Sequence, residues 1–292
     1  MDKKNASAAG IAAGVVIGAA AVGATAIAVG AKCLQLARTH AGVARVKGAR
    51  GPRGERIRVL QQGGVYQGAT YLGRRRFEPV FEYIRAFDAM FEAEASMRAA
   101  AGHGIDRSLM LGGGGYAYPK HALTTHPDLM MDVVELDASI TLLARRWFFL
   151  DELEEAVGGR LGLITSDARS YLSEAIASGA RYDVVVNDCF SGPEPVVALA
   201  TLEALCQVKV CLRPGGLYLA NVVSTCEGED IEFLRDVVAT AAAVFENVWI
   251  VPCVDEAFAG EDNYLVIASD AEYEFEGAAP FDGDFLGDVL RD

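Results

Sequence analysis

Four consecutive glycines constrain the fold of this 292-residue chain more than any other feature. They run from Gly112 to Gly115, directly after a short apolar stretch at 108–111, and the next apolar stretch ends in Glu135-Leu136-Asp137. Glycines after a strand let the backbone turn tightly and approach a ligand, and an acidic side chain one βα unit later can accept hydrogen bonds from ribose hydroxyls. The pattern predicts a nucleoside site at the end of a sheet.

The rest of the body alternates strand and helix. Only residues 253–263 separate the last two predicted strands, and Asp, Gly and Glu dominate them, so a crossover helix for parallel pairing fits poorly there. We therefore predict an α/β fold with a seven-stranded, mostly parallel sheet, an antiparallel last strand and helices on both faces. The predicted strands are 108–111, 132–136, 161–165, 183–187, 216–223, 248–252 and 264–269.

A smaller β region precedes this body. Residues 57–72 are typical of two strands around Gly63-Gly64, and apolar residues at helical spacing over 79–97 predict a helix that joins this hairpin to the body. The sequence thus divides into a membrane anchor, a basic linker, a hairpin-plus-helix region and the nucleoside-binding domain, over 1–33, 34–56, 57–100 and 101–292.

The anchor is predicted from the absence of charge between Ala6 and Ala31, a run long enough to cross a bilayer as a helix. Eight Lys and Arg follow between residues 32 and 58. By the positive-inside rule they predict a single-pass protein with its N-terminus outside and its body in the cytoplasm, with 34–56 as a basic linker in which 41–55 is flexible. A cleaved signal peptide and a disordered small-residue leader remain alternatives.

Charge narrows the class of ligand. The net charge is -14, although residues 1–60 hold ten Lys and Arg against two acidic residues, so the remaining body is strongly acidic. Such a body repels phosphate backbones, which argues against a nucleic-acid partner, and it attracts cationic small molecules. The six cysteines show no CxxC pair, and we expect reduced thiols with no metal site.

Two nucleotide-binding folds fit the glycine loop. The spacing Gly112-x-Gly114-x-x-Ala117 satisfies the dinucleotide fingerprint, so an NAD-binding domain is one candidate. The antiparallel last strand, together with the turn at 212–216 before the fifth strand, resembles the class I S-adenosylmethionine-dependent methyltransferase fold instead. This second reading favours an adenosyl sulfonium ligand.

The order of motifs is more specific. The hairpin, the glycine loop, Glu135-Leu136-Asp137, the stretch 166–171 and the stretch 182–188 resemble, over about residues 57 to 270, the spermidine synthase family, the polyamine aminopropyltransferases. The likeness extends to a divergent bacterial branch attached to membrane segments. It implies a transferase, often a homo-oligomer, that uses S-adenosylmethionine or decarboxylated S-adenosylmethionine, without a metal, on a small-molecule amine.

The resemblance also implies roles for individual residues. Glu135 would hold the ribose hydroxyls, Asp167 the adenine amino group, and Gln67 would reach the nucleoside from the hairpin, while Asp188 would orient or deprotonate the attacking amine. Asp167 also precedes a helical stretch, so a helix cap is a competing role. The remaining members of the predicted binding set are Gly112, Gly113, Gly114, Gly115, Asp137 and Ala168.

Two positions depart from the family pattern. Gly115 stands where the family has the aspartate that holds the aminopropyl ammonium, and Ser191 stands where it has a second aspartate near the amine. A small-molecule methyltransferase and a catalytically silent, membrane-tethered nucleoside-binding protein are therefore alternatives. Tyr116, Tyr118 and His121 could contact an altered acceptor, or the tyrosines could pack helix against sheet.

Overall fold

A computed structural model describes residues 35–51, 53–191, 194–224, 230–253, 262–280 and 287–292. The first part of this chain forms a four-stranded antiparallel sheet in the order β1-β2-β3-β4. Its strands are β1 (Leu36–Thr39), β2 (Gly42–Arg50), β3 (Arg56–Gln62) and β4 (Val65–Tyr71). The predicted hairpin around Gly63-Gly64 is present as β3 and β4, which pair antiparallel.

The predicted basic linker over 34–56 is wrong for most of its length, because β1 and β2 occupy residues 36–50. In β2, Ala44 and Val46 are buried while Arg45 and Lys47 are exposed. This alternation of apolar and basic residues places one face on the core and the other in solvent. The basic residues that suggested a linker therefore lie on the outer face of a strand.

The predicted membrane anchor at 1–33 lies outside the described residues. From residue 35 onward, no described helix combines the length and apolar character needed to cross a bilayer.

The central sheet has the order β14-β12-β13-β11-β8-β5-β6-β7. All seven predicted strands are present, and a two-residue strand is added at one edge. Strands β7, β6, β5, β8 and β11 pair in parallel, whereas β13 runs antiparallel to both of its neighbours, as predicted. The bounds are β5 (Arg107–Leu111), β6 (Met130–Glu135), β7 (Leu161–Thr165), β8 (Tyr182–Asn187), β11 (Leu212–Ser224), β12 (Asn247–Cys253), β13 (Asp262–Ser269) and β14 (Ala279–Pro280), with a small hairpin of β9 (Phe190–Ser191) and β10 (Glu194–Pro195).

Helices cover both faces of this sheet. Successive residues of β8 enter opposite core clusters, since Val184 and Val186 pack on one face and Val185 packs on the other. The helices are α1 (Glu82–Ala86), α2 (Glu94–Ala101), α3 (Ala117–Thr125), α4 (Ala138–Trp147), α5 (Leu150–Val157), α6 (Ala168–Ser178), α7 (Leu202–Cys211) and α8 (Asp230–Ala242). The helix predicted over 79–97 is broken into α1, a 3-10 turn at Phe87–Ala93, and α2.

The strand order reverses between β5 and β8. The chain moves from β5 outward to β6 and β7, and then returns to place β8 on the other side of β5. The loops that follow β5 and β8 therefore leave in opposite directions and open a crevice at the carboxyl ends of these strands. The fold positions a ligand site at this point.

Candidate nucleoside-binding site

A cavity of about 590 Å³ occupies this crevice, with the N-terminal sheet as its opposite wall. The structure brings nine of the ten predicted site residues into its lining. These are Gln67, Gly112, Gly113, Gly114, Glu135, Asp137, Asp167, Ala168 and Asp188.

The glycine loop passes through a space too narrow for side chains. Gly112 and Gly114 have left-handed backbones, with φ of 94° and 49°. A Cβ at Gly112 would lie 2.4 Å from the carbonyl oxygen of Asp188, and one at Gly114 would lie 2.9 Å from that of Gln67. Because both obstacles are backbone atoms, glycine is required at these positions.

Glu135, at the end of β6, holds the loop in place. Its Oε2 accepts hydrogen bonds from the backbone N–H groups of Gly113 (3.1 Å) and Gly114 (3.0 Å), and its Oε1 accepts one from Asp137 (3.0 Å). These bonds orient a carboxylate that is 9% exposed at the cavity wall. A carboxylate has about four acceptor sites, so one site remains on Oε1 and can receive a ribose hydroxyl.

Asp167 caps helix α6. Its Oδ1 accepts a hydrogen bond from the backbone N–H of Ser170 at 2.9 Å, so the competing role as a helix cap is present in the structure. The residue still lines the cavity, beside Ala168. The 3-10 turn at Val197–Leu199 packs near α6, so Leu199 and Ala168 form an apolar end of the cavity.

Asp188 follows β8 at the base of the cavity. Its Oδ1 accepts a hydrogen bond from Asn221 Nδ2 at 2.9 Å. Burial raises the pKa of the Asp188 carboxyl to about 6, and the Asn221 hydrogen bond acts in the opposite direction. Burial and the neighbouring charge of Asp188 together raise the pKa of Tyr83 well above its ordinary value. The site thus holds a carboxylate that titrates near neutrality beside a neutral phenol.

Gly115 is the predicted site residue that does not line the cavity. Its backbone packs against β4, where a Cβ on Gly68 would lie 3.0 Å from the Gly115 nitrogen. A Cβ on Gly115 would itself lie 3.3 Å from Cδ1 of Phe148. The close approach of the loop to β4 places this glycine outside the cavity lining.

Asp137 is held by a residue of the β1–β2 turn. Its Oδ1 lies 2.9 Å from His40 Nδ1, and its Oδ2 accepts a hydrogen bond from the His40 backbone N–H at 3.1 Å. His40 also lines the cavity. The sequence did not predict a role for His40, because it lies in the predicted linker and nothing local in the sequence pairs positions 40 and 137.

Tyr116, Tyr118 and His121 stay outside the cavity lining and serve packing. Both tyrosine side chains are fully buried, and the hydroxyl of Tyr116 lies 2.8 Å from Thr141 Oγ1. His121 Nε2 lies 2.6 Å from Asp88 Oδ2. Within the described ranges, no three His, Cys, Asp or Glu side chains are grouped to hold a metal ion.

Part of the chain is similar in sequence to known proteins. The chain is 32% identical over 127 residues to a polyamine aminopropyltransferase of Vibrio vulnificus, a match over 44% of this chain and 41% of that protein. It is 28% identical over 165 residues to a probable polyamine aminopropyl transferase of Bifidobacterium longum, a match over 56% of this chain and 34% of that protein. The chain is thus similar to polyamine aminopropyltransferases over the matched residues. The matches span less than half the length of these relatives, and no family model matches.

Solved structures share the fold of this chain. A probable spermidine synthase from Corynebacterium glutamicum superposes with a TM-score of 0.63 at 23% identity, covering 82% of this chain and 81% of that one. Human methyltransferase-like protein 13 in complex with SAH gives a TM-score of 0.54 at 21% identity, covering 70% of this chain and 86% of that one. The fold is therefore methyltransferase-like, and the dinucleotide-binding reading of the glycine loop is not supported.

Three residues that line the cavity were not predicted from the sequence. Asn221 is a polar amide inside the apolar run 217–223, and this contrast could have marked it as a candidate site residue. Tyr83 lies in a predicted helix where an aromatic residue reads as core, and His40 lies in the predicted linker. These residues come from elements distant in the chain, so only the folded arrangement assembles them.

Proposed function

We propose that this chain binds decarboxylated S-adenosylmethionine in the cavity and transfers its aminopropyl group to a small-molecule amine. The observation that carries the proposal is the charge of the lining. Glu135, Asp137, Asp167 and Asp188 line the cavity, and its described lining contains no Lys or Arg. A donor with a sulfonium and an ammonium group matches these carboxylates, whereas the carboxylate of S-adenosylmethionine itself would be repelled.

The nucleoside fits the same wall. Glu135 would accept a ribose hydroxyl, since about one of its four acceptor sites remains, on Oε1, after it binds the N–H groups of Gly113, Gly114 and Asp137. Adenine would lie at the apolar end formed by Ala168 and Leu199, with Asp167 near its amino group. Gln67 would approach from β4, on the opposite wall.

The reaction needs alignment and removal of one proton. The amine nitrogen forms a bond to the propyl carbon attached to sulfur, and the carbon–sulfur bond breaks with its electron pair moving to sulfur. The products are neutral methylthioadenosine and an amine that carries a 3-aminopropyl group. The carboxylate of Asp188 takes the proton released by the attacking nitrogen and returns it to solvent. A pKa of about 6 leaves Asp188 charged at neutral pH and able to act as this base.

Calorimetric titration of the full chain tests the binding step. We expect decarboxylated S-adenosylmethionine and methylthioadenosine to bind more tightly than S-adenosylmethionine. Absence of binding by all three compounds would overturn the proposal.

Product mass tests the transfer step. With decarboxylated S-adenosylmethionine and a panel of amines, we expect an acceptor that gains an aminopropyl group. An acceptor that gains a methyl group from S-adenosylmethionine would instead establish the methyltransferase alternative. Nucleoside binding without any turnover across the panel would establish the catalytically silent alternative.

A further inference from the structure

We infer that Arg169 and Asp292 are positioning residues for the nucleoside base, because together they fix the distance between the two walls of the apolar end of the cavity. The inference rests on the proposed function, in which adenine lies at this end against Ala168 and Leu199. Arg169 and Asp292 are not among the described residues that line the cavity, so they act through the two that are.

The two walls belong to separate elements. Ala168 is the first residue of α6, and Leu199 is the last residue of the 3-10 turn at Val197–Leu199. Both residues are buried. The backbone bonds of the turn are local, since the N–H of Leu199 donates to the carbonyl oxygen of Val196 at 2.9 Å. So short a 3-10 turn has few backbone bonds of its own, and its distance from α6 therefore depends on side-chain contacts.

Arg169 joins these walls. It follows Ala168 in α6, and its Nη1 donates hydrogen bonds to the carbonyl oxygen of Ala198 at 2.8 Å and to Oγ1 of Thr201 at 3.0 Å. Ala198 precedes Leu199 in the turn, and Thr201 caps α7, which begins at the next residue. One guanidinium therefore ties the first turn of α6 to the opposite wall on both sides of Leu199.

Asp292 sets the orientation of this guanidinium. Its Oδ1 and Oδ2 accept hydrogen bonds from Nη1 and Nη2 of Arg169 at 2.9 and 2.8 Å, a bidentate pair that fixes the plane of the guanidinium. The same Oδ1 accepts a hydrogen bond from the hydroxyl of Thr201 at 2.7 Å. The bonds from Arg169 and Thr201 hold the pKa of the Asp292 carboxyl below its ordinary value, so it is charged at neutral pH. Without this carboxylate, the partly exposed side chain of Arg169 would gain rotational freedom and leave the turn.

The segment that carries Asp292 is itself fixed on α7 and α8. The carbonyl oxygen of Leu290 accepts a hydrogen bond from the N–H of Leu202 at 2.8 Å, and the N–H of Leu290 donates to Thr240 Oγ1 at 2.9 Å. The backbone N–H of Asp292 donates to Glu203 Oε2 at 3.0 Å. Because these contacts hold the segment in place, its carboxylate is presented to α6 in one position, 123 residues further along the chain than its arginine partner.

A matched pair of substitutions tests the inference. Asp292→Ala removes the carboxylate beside Arg169, and Asp270→Ala removes a carboxylate of similar exposure from a 2.8 Å ion pair with Lys209 at the opposite end of the sheet. The affinity of each variant of the full chain for methylthioadenosine is measured by calorimetric titration. We expect Asp292→Ala to weaken binding by about tenfold, since the wall that carries Leu199 loosens around the base, and Asp270→Ala to stay within about twofold of wild type.

Base discrimination separates positioning from a structural role. Methylthioadenosine and methylthioinosine differ at the 6-position of the base, and the ratio of their affinities should shrink in Asp292→Ala and stay unchanged in Asp270→Ala. In the transfer reaction, Asp292→Ala should raise KM for decarboxylated S-adenosylmethionine by about tenfold and leave kcat within about twofold, because the base is remote from the reacting carbon. A merely structural role would lower the free energy of unfolding in urea without changing the ratio of affinities.

Unchanged nucleoside affinity and base discrimination in Asp292→Ala, or equal losses in both variants, would overturn the inference alone. Failure of methylthioadenosine to bind the wild-type chain would overturn the proposed function and the inference with it.

Discussion

At the scale of single residues, the proposed transfer depends on the protonation of Asp188. Its pKa is about 6, so the carboxylate loses its charge as the pH falls through 6 and can then no longer accept a proton. We expect kcat/KM for aminopropyl transfer to fall below pH 6 and Asp188→Asn to lower it by about 10²- to 10⁴-fold at pH 7.5. A pH–rate profile of the wild-type chain measures this decrease, which is the acid limb of the profile. A profile that stays flat down to pH 5 would exclude Asp188 as the base.

Asn221 should affect the pH at which this acid limb of kcat/KM lies. Its amide N–H stabilises the charged form of Asp188, so its removal should raise the carboxyl pKa further. We expect Asn221→Leu to move the acid limb of kcat/KM to higher pH, and Asn221→Gln, which keeps an amide donor, to recover part of the shift. If Asn221 only supports packing, Asn221→Leu will lower the rate equally at all pH values without moving the limb.

Glu135 is the residue on which nucleoside affinity should depend most. Glu135→Gln keeps the shape of the side chain but removes the charge that receives the loop N–H groups and the proposed ribose hydroxyl. We expect the affinity for methylthioadenosine to fall by about 1.5 to 3 kcal/mol for each charged hydrogen bond lost. Calorimetric titration measures the change, with circular dichroism to check that the variant is folded. An affinity within twofold of wild type would exclude Glu135 from the nucleoside site.

At the scale of elements, the position of the glycine loop depends on its contact with β4. A Cβ on Gly68 would lie 3.0 Å from the nitrogen and 3.2 Å from the Cα of Gly115, and neither strand nor loop can yield without moving backbone. We expect Gly68→Ala to destabilise the chain by about 1 to 3 kcal/mol and to weaken methylthioadenosine binding, since the loop is displaced from Glu135.

The same sheet offers a matched control for this prediction. Gly48, on β2, has nothing within 4 Å of its Cβ position. We therefore expect Gly48→Ala to change the stability by no more than about 0.5 kcal/mol and to leave nucleoside affinity unchanged. Urea unfolding and titration of both variants give the comparison. Equal effects of the two substitutions would mean that the loop does not depend on this contact.

At the scale of the whole molecule, Lys120 on α3 links the N-terminal sheet to the helical layer of the body. Its Nζ is buried and donates hydrogen bonds to Thr70 Oγ1 on β4 and to the carbonyl oxygen of Phe148, between α4 and α5, each at 3.1 Å. Burial lowers the pKa of Lys120 to about 7. Between pH 7 and about 10 the unfolded chain therefore binds a proton that the folded chain does not, and stability should rise with pH in that window. Below pH 7 Lys120 is protonated in both the folded and the unfolded chain, and the full free-energy cost of burying its charge is present.

Removal of the amine should remove this pH dependence. We expect Lys120→Met to lose a slope of up to about 1.4 kcal/mol per pH unit between pH 7 and 9, measured by urea unfolding at several pH values. Lys47→Met changes an exposed lysine on β2 and should retain the slope. An unchanged slope in Lys120→Met would assign the pH dependence to other groups.

Much of this architecture is determined locally and was predictable from the sequence. The seven strands follow from short apolar runs, the antiparallel β13 from the short polar connection before it, and the positions of Glu135, Asp167 and Asp188 from their places after strands. Strand ends in a parallel sheet meet at one edge, so residues that follow separate strands must gather there. This regularity is why eight of the nine predicted residues share one cavity, whereas Gln67 reaches it from β4.

Only the tertiary structure decided the contacts between distant segments. It placed β1 and β2 where a linker was predicted, brought His40 to Asp137, set Asn221 and Tyr83 beside Asp188, and packed Gly115 against Gly68. Each of these depends on how two separately folded elements approach one another, and no spacing along the chain encodes that distance. The sequence determined by itself which end of the sheet holds the site, because strand direction is local. The shape and charge of the cavity depend on how the N-terminal sheet and α1 pack against that edge.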